Sequence, residues 1–92
     1  MELVQLNEVY TVTDTSEKGW KTQGQVIKEA ESDIKINFYS DQEEKYVGSY
    51  NYNYAGLIDN KVHINIVCEK GLEDEYTDYC KNLVQQILES VK

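Results

Sequence analysis

The hydrophobic period of this chain changes once, at Gly71. Before it, apolar residues recur at every second position in short runs separated by polar turns. After it, Leu72, Tyr76, Tyr79, Cys80, Leu83, Ile87, Leu88 and Val91 recur at steps of three and four. Alternation marks strands with one buried face, and steps of three and four mark one stripe of an α-helix. A run of strands followed by one amphipathic helix has few stable solutions, because the sheet face and the helix stripe each need an apolar partner. The reading is therefore an α+β fold: a five-stranded antiparallel meander, curved and in the alternative geometry a partly open barrel, covered on one face by the C-terminal helix. The 92 residues suit a single domain spanning residues 1–92, with the sheet over about 3–68 and the helix over about 72–91.

The first strand is expected over Leu3–Val12, with Val4, Leu6, Tyr10 and Val12 in phase and a bulge near Asn7-Glu8, where the alternation fails. A polar loop, Asp14 to Gly19, leads to a second strand from Trp20 to Ala30, in which Gly24 marks a weak point or bend. Glu31-Ser32-Asp33 is expected to turn into a third strand, where Ile34, Ile36 and Phe38 alternate with Lys35, Asn37 and Tyr39. Ser40-Asp41-Gln42-Glu43 turns again. A fourth strand then runs to Ile58 past Gly56, and Asp59-Asn60 forms a two-residue hairpin turn. Val62, Ile64, Ile66 and Cys68 share one face of the fifth strand.

The fourth strand is unusual. Tyr46, Tyr50, Tyr52 and Tyr54 fall on one side of the alternation, and Gly48 takes the remaining slot. These phenols are expected to pack under the helix with Ile34, Ile36, Phe38, Val62, Ile64 and Ile66, because tyrosine buries its ring while its hydroxyl reaches the margin. An aromatic platform for stacked bases is disfavoured, since such platforms work within basic grooves.

Charge limits function further. The net charge is −8, and every basic residue is a lysine. Without arginine the bidentate fork for phosphate and guanine is missing, and the excess negative charge repels nucleic-acid backbones and anionic membranes. Direct nucleic-acid binding and membrane attachment are not expected. Met1–Leu6 has neither the basic flank nor the apolar block of a signal peptide, so a cytoplasmic location is expected. Abundant Lys, Asn, Ile and Tyr with few Ala and Gly is the bias of AT-rich coding sequence, which fits a low-GC bacterium or a phage or plasmid within one.

No catalytic chemistry is expected. The single histidine, His63, has no nucleophile at a useful spacing, and Cys68 and Cys80 read as reduced thiols. The acidic runs lack calcium-loop spacing. No cofactor and no metal are expected. The acids are concentrated, however. In an up-and-down meander the loops after the first and third strands share one end of the sheet with the start of the helix. There Asp14, Glu17, Asp41, Glu43, Glu44, Glu69, Glu73, Asp74 and Glu75 face Lys18, Lys45 and Lys70, nine carboxylates against three ammonium groups. Dispersed carboxylates can imitate a phosphate array and occupy a basic groove. The expected function is thus a non-catalytic inhibitor or modulator of a basic, nucleic-acid-handling protein, DNA-mimic-like and phage- or mobile-element-encoded in the manner of anti-defence proteins. Its contacts are expected from Asp14, Glu17, Asp41, Glu43, Glu44, Glu73, Asp74 and Glu75, with Tyr39 as an anchor. The alternative is a homo-oligomeric structural or accessory subunit, a homodimer covering the exposed sheet edges. The lesser alternative is a small-ligand domain using tyrosine hydroxyls between helix and sheet.

Overall fold

The structure is a computed structural model describing residues 1–6, 8–30, 33–56 and 59–91. Its strands are β1 (Glu2–Leu6), β2 (Val9–Thr15), β3 (Lys21–Ala30), β4 (Asp33–Gln42), β5 (Lys45–Ala55) and β6 (Val62–Cys68), followed by the helix α1 (Glu73–Ser90). Each strand pairs antiparallel with the next, giving one six-stranded sheet in the order β1 to β6. β1 and β6 are its two edges, so the sheet is open and not a barrel.

The sixth strand arises from the segment expected to be one strand. Glu8 breaks the alternation because the chain reverses there: Leu6 pairs with Val9 and Glu2 with Thr13. Asn7, the other residue of the expected bulge, lies outside the described residues. Reversal changes the facing of the apolar positions. Leu3 and Gln5 share a face with Val12 and Tyr10, whereas Val4 and Leu6 lie on the opposite face with Thr11 and Val9, and both are exposed. Val4 and Leu6 are thus not in phase with Tyr10 and Val12.

The loop expected from Asp14 to Gly19 does join β2 to β3, whereas the last two hairpin turns are displaced from their expected positions. Gln42 still pairs with Lys45, so the β4–β5 turn is Glu43-Glu44. β5 ends at Ala55 and β6 begins at Val62, so their connection is longer than the two-residue turn expected at Asp59-Asn60. Asn60 does adopt the left-handed conformation (φ 53°). The Glu31-Ser32 part of the β3–β4 turn, the Leu57-Ile58 continuation and Lys92 lie outside the described residues.

The core lies between one sheet face and α1. Val12, Val26, Ile34, Ile36, Phe38 and Tyr50 from the sheet meet Tyr76, Cys80, Leu83, Val84 and Ile87 from the helix. Each large aliphatic side chain buried there contributes about 1.5–3 kcal/mol relative to exposure. Trp20, just before β3, packs edge-on against Tyr76 and Tyr79, with ring centroids 5.5 and 5.6 Å away. The helix starts with Glu73, Asp74 and Glu75 in its first turn, where negative charge opposes the positive end of the helix dipole.

A β-bulge divides the tyrosine strand. Ser40 pairs with Gly48 but Asp41 pairs with Tyr46, so Val47 is the extra residue. The bulge turns Val47 into the core, 3% exposed, and turns Tyr46 out to 51%. Tyr50 is 2% exposed and stacks on Phe38, while Tyr52 and Tyr54 are half-buried against the core. The expected phenol face therefore holds from Tyr50 to Tyr54 and fails at Tyr46. Gly48, beside the bulge, admits a close approach: a Cβ there would lie 2.4 Å from the Val67 carbonyl oxygen and 2.8 Å from the Tyr76 ring. Gly24 is also a close approach, since an added Cβ would meet the Asn37 carbonyl oxygen at 2.2 Å.

The helix crosses the sheet obliquely. Tyr76 lies over Gly48 at one end, and at the other the Lys28 ammonium donates to the Val91 carbonyl at 3.1 Å. The crossing leaves the start of β6 uncovered. Val62 and Ile64, expected in the core, are 42% and 53% exposed, while Ile66 and Cys68 are half-buried.

Beneath the helix runs a chain of hydroxyl groups. Tyr79 donates to Asp14 Oδ2 at 2.7 Å. Having one proton, Tyr79 must then accept from Thr22 (2.7 Å); Thr22 accepts from Ser40 (2.8 Å) and Ser40 from Tyr76 (2.9 Å). Burial raises the pKa of both Tyr76 and Tyr79 and pushes the Cys80 thiol up to about 12 from 9.0. For acids neutral when protonated, a raised folded pKa means stability fully present below the unfolded pKa and lost as pH rises above it. These three groups should therefore leave the melting temperature unchanged below about pH 8. It should fall once pH passes 9.0 for Cys80 and 10.0 for the two phenols. Thermal melts across alkaline pH check this, and the fall should be shallower in Tyr79→Phe.

Candidate functional site

Because alternate strands run in opposite directions, three segments meet at one end of the sheet: the loop from Ser16 to Trp20, the Glu43-Glu44 turn, and residues 69–75 leading into α1. They are tied together. Gln42 Nε2 donates to the Lys18 carbonyl at 2.9 Å, joining the first two segments. Lys18 forms an ion pair with Glu75, joining the loop to the helix, and its ammonium lies 5.7 Å from the centroid of Trp20. Within the loop, Ser16 Oγ accepts from the N–H groups of Lys18 (3.2 Å) and Trp20 (3.1 Å). These bonds explain why a polar hexapeptide holds a defined shape.

The expected contact residues divide into two groups. Asp14 is half-buried, accepts from Tyr79 and pairs with the α-amino group of Met1 at 3.1 Å. Glu75 is paired with Lys18. Those two carboxylates serve the fold. Glu17, Glu43, Glu44, Glu73 and Asp74 are exposed, and Asp41 is half-exposed opposite Lys21. The Gly71 N–H, donating to Glu73 at 2.9 Å, holds that carboxyl below its usual range. It stays charged through neutral pH.

The Glu43-Glu44 turn carries the clearest anomaly. Both residues are left-handed, with φ of 50° and 67°. Two such residues between paired Gln42 and Lys45 make a type I′ hairpin, for which Asn-Gly is the favoured sequence. A Cβ in this region crowds the following carbonyl oxygen, at a cost of about 1–2 kcal/mol per residue. Two glutamates therefore occupy the turn against its conformational preference.

Tyr39 lies on the face away from the helix, 45% exposed, and donates weakly to Gln23 Oε1 at 3.3 Å. A cross-strand row runs Gln23, Tyr39, Ser49, Val67. The Tyr46 hydroxyl donates to Ser49 Oγ at 2.9 Å, which brings a second exposed phenol onto the same face. Tyr39, Tyr46 and Val67 thus form an apolar strip next to the acidic end. Tyr46 is not legible as part of it from alternation alone; the available signal was apolar Val47 beside Gly48, a pair that suits a bulge.

His63 belongs elsewhere, at the opposite end of the sheet, where its Nε2 lies 3.0 Å from Asp59 Oδ2. Among the described residues no group of three or more His, Cys, Asp or Glu side chains could hold a metal ion. A groove beside the helix is lined by Asp14, Lys18, Trp20, Glu75 and Tyr79 and lies open at the surface. No helix among the described residues is long and apolar enough to cross a membrane. In comparisons with known proteins, no family model, no curated protein and no solved structure matches the chain.

Proposed function

We propose that this chain is a non-catalytic binding protein that inhibits or modulates a basic, nucleic-acid-handling partner through its acidic end, in the manner of a DNA mimic encoded by a phage or mobile element. The observation that carries the reading is the Glu43-Glu44 turn. Solubility could be served by carboxylates at any exposed position, yet these two sit where the backbone disfavours them. Local strain retained at an exposed turn points to a use for the side chains held there. Glu17, Asp41, Glu73 and Asp74 extend the same negative surface across the neighbouring segments. Tyr39 and Tyr46 add rigid aromatic area beside it, the residue type that anchors protein interfaces.

Charge reversal tests the proposal. With the protein as bait in a bacterial lysate, Asp41→Lys, Glu43→Lys and Glu44→Lys together should weaken capture of a basic partner by about 100-fold at low salt, since close interfacial charge pairs couple strongly. Added duplex DNA should compete with the wild-type bait for that partner. Capture that is unchanged by the triple substitution and indifferent to DNA would rule the reading out.

A further inference from the structure

We propose that β6 is a self-pairing edge, through which two copies of this chain join antiparallel to make one continuous twelve-stranded sheet. The inference is independent of the acidic end. An exposed edge strand is a template for pairing, and monomeric proteins usually guard theirs with charge, proline or a bulge. β6, Val-His-Ile-Asn-Ile-Val-Cys, is the only one of the six described strands with no Asp, Glu or Lys. The guards are absent where they are most needed. β1, the other edge, is five residues long and begins with Glu2.

Hydrogen-bond alternation determines which groups the edge presents. The Glu69 N–H donates to the Val47 carbonyl at 3.1 Å, so odd-numbered residues of this strand direct their N–H and C=O groups toward β5. Val62, Ile64, Ile66 and Cys68 therefore direct theirs outward. A second copy related by a two-fold axis at Asn65 sets Ile64 opposite Ile66 of that copy, and Val62 opposite Cys68. These two pairs, each formed twice by symmetry, join outward-directed residues and exchange about eight backbone hydrogen bonds, and the odd-numbered pairs between them are the non-hydrogen-bonded ones. Ile64 and Val62, 53% and 42% exposed in one chain, gain apolar cross-strand neighbours.

Charge selects the occupant and the register. The same pairing places Lys61 opposite Glu69 of the second copy, twice by symmetry. Among the described residues neither Lys61 nor Glu69 is ion-paired within its own chain. Slipping the pairing by two residues in one direction sets Asp59 against Glu69, a like-charge contact, and in the other sets Lys61 against Gly71, so either slip loses the Lys61–Glu69 pair. The antiparallel arrangement also keeps the two acidic ends at opposite sides of the dimer, so a chain of net charge −8 meets its copy along an uncharged strip.

Light scattering on the whole chain at about 50 μM should give twice the 10.7 kDa chain mass, and the dimer should survive high salt, because backbone bonds and apolar pairs carry it. Ile64→Lys, at an exposed position, should give a folded monomer. Lys61→Glu should weaken dimerisation about tenfold by facing carboxylate with carboxylate at both symmetric sites, and adding Glu69→Lys should restore it to within about threefold. A strand from another protein seated on β6 would leave the isolated chain monomeric. A monomeric wild type, a dimer indifferent to Ile64→Lys, or a Lys61→Glu defect that Glu69→Lys does not repair would overturn the proposal.

Discussion

Tyr50→Ala is expected to destabilise the fold by about 3–4 kcal/mol, whereas Tyr46→Ala, four residues earlier in the same strand, should change stability by less than about 0.5 kcal/mol. The two positions look equivalent by alternation. The bulge at Val47 separates them: Tyr50 is 2% exposed and stacks on Phe38 at a centroid distance of 5.5 Å, while Tyr46 is 51% exposed. Removing the Tyr50 ring leaves a cavity under the helix among Phe38 and its neighbours, and the loss combines transfer free energy with unfilled volume. For a domain of this size the change corresponds to a melting temperature lower by about 12–25 °C. Equal effects at the two positions in thermal or urea melts would show that the bulge is wrongly assigned.

The same strand illustrates what alternation reveals and what it conceals. Ile34, Ile36 and Phe38 could be placed in the core from the sequence because strict alternation over a strand without irregularity leaves one face for burial. The helix stripe was equally legible; Tyr76, Cys80, Leu83 and Ile87 are all buried, and only Val84 adds to it. Irregularities were not legible. A residue inserted into one strand and a chain reversal both interrupt a two-residue period, so alternation does not distinguish the reversal at Glu8 from a bulge, while the tyrosines on either side of the Val47 bulge keep an unbroken period. Nor does local sequence specify the angle at which a helix crosses a sheet. That angle decides that Ile66 is half-buried and Ile64 is not. At the acidic end, the meeting of three charged segments followed from topology alone. That Asp14 and Glu75 are engaged within the fold depended on contacts with Tyr79 and Lys18, which are distant in sequence.

Replacing Glu43-Glu44 by Asn-Gly should stabilise the fold and weaken partner binding together. The stability gain comes from relieving two left-handed glutamates (φ 50° and 67°), and about 1–2 kcal/mol in total is expected. It corresponds to a melting temperature raised by about 5–10 °C. The binding loss comes from removing two exposed carboxylates at the centre of the acidic end, with Asp41 beside them and Glu17 on the adjoining loop. Turn conformation is retained, because Asn-Gly is the sequence this hairpin favours, so altered shape does not account for lost binding. A charged surface kept only for solubility would show the first effect without the second.

The most direct measurement pairs a thermal melt with affinity capture of a basic partner by the wild type and by Glu43→Asn/Glu44→Gly, at about 50 mM and about 500 mM salt. The variant should have a higher melting temperature and capture reduced by at least about tenfold at low salt, with little capture by either protein at high salt. A stabilised variant that captures the partner as well as the wild type, with both resistant to salt, would contradict the proposed function.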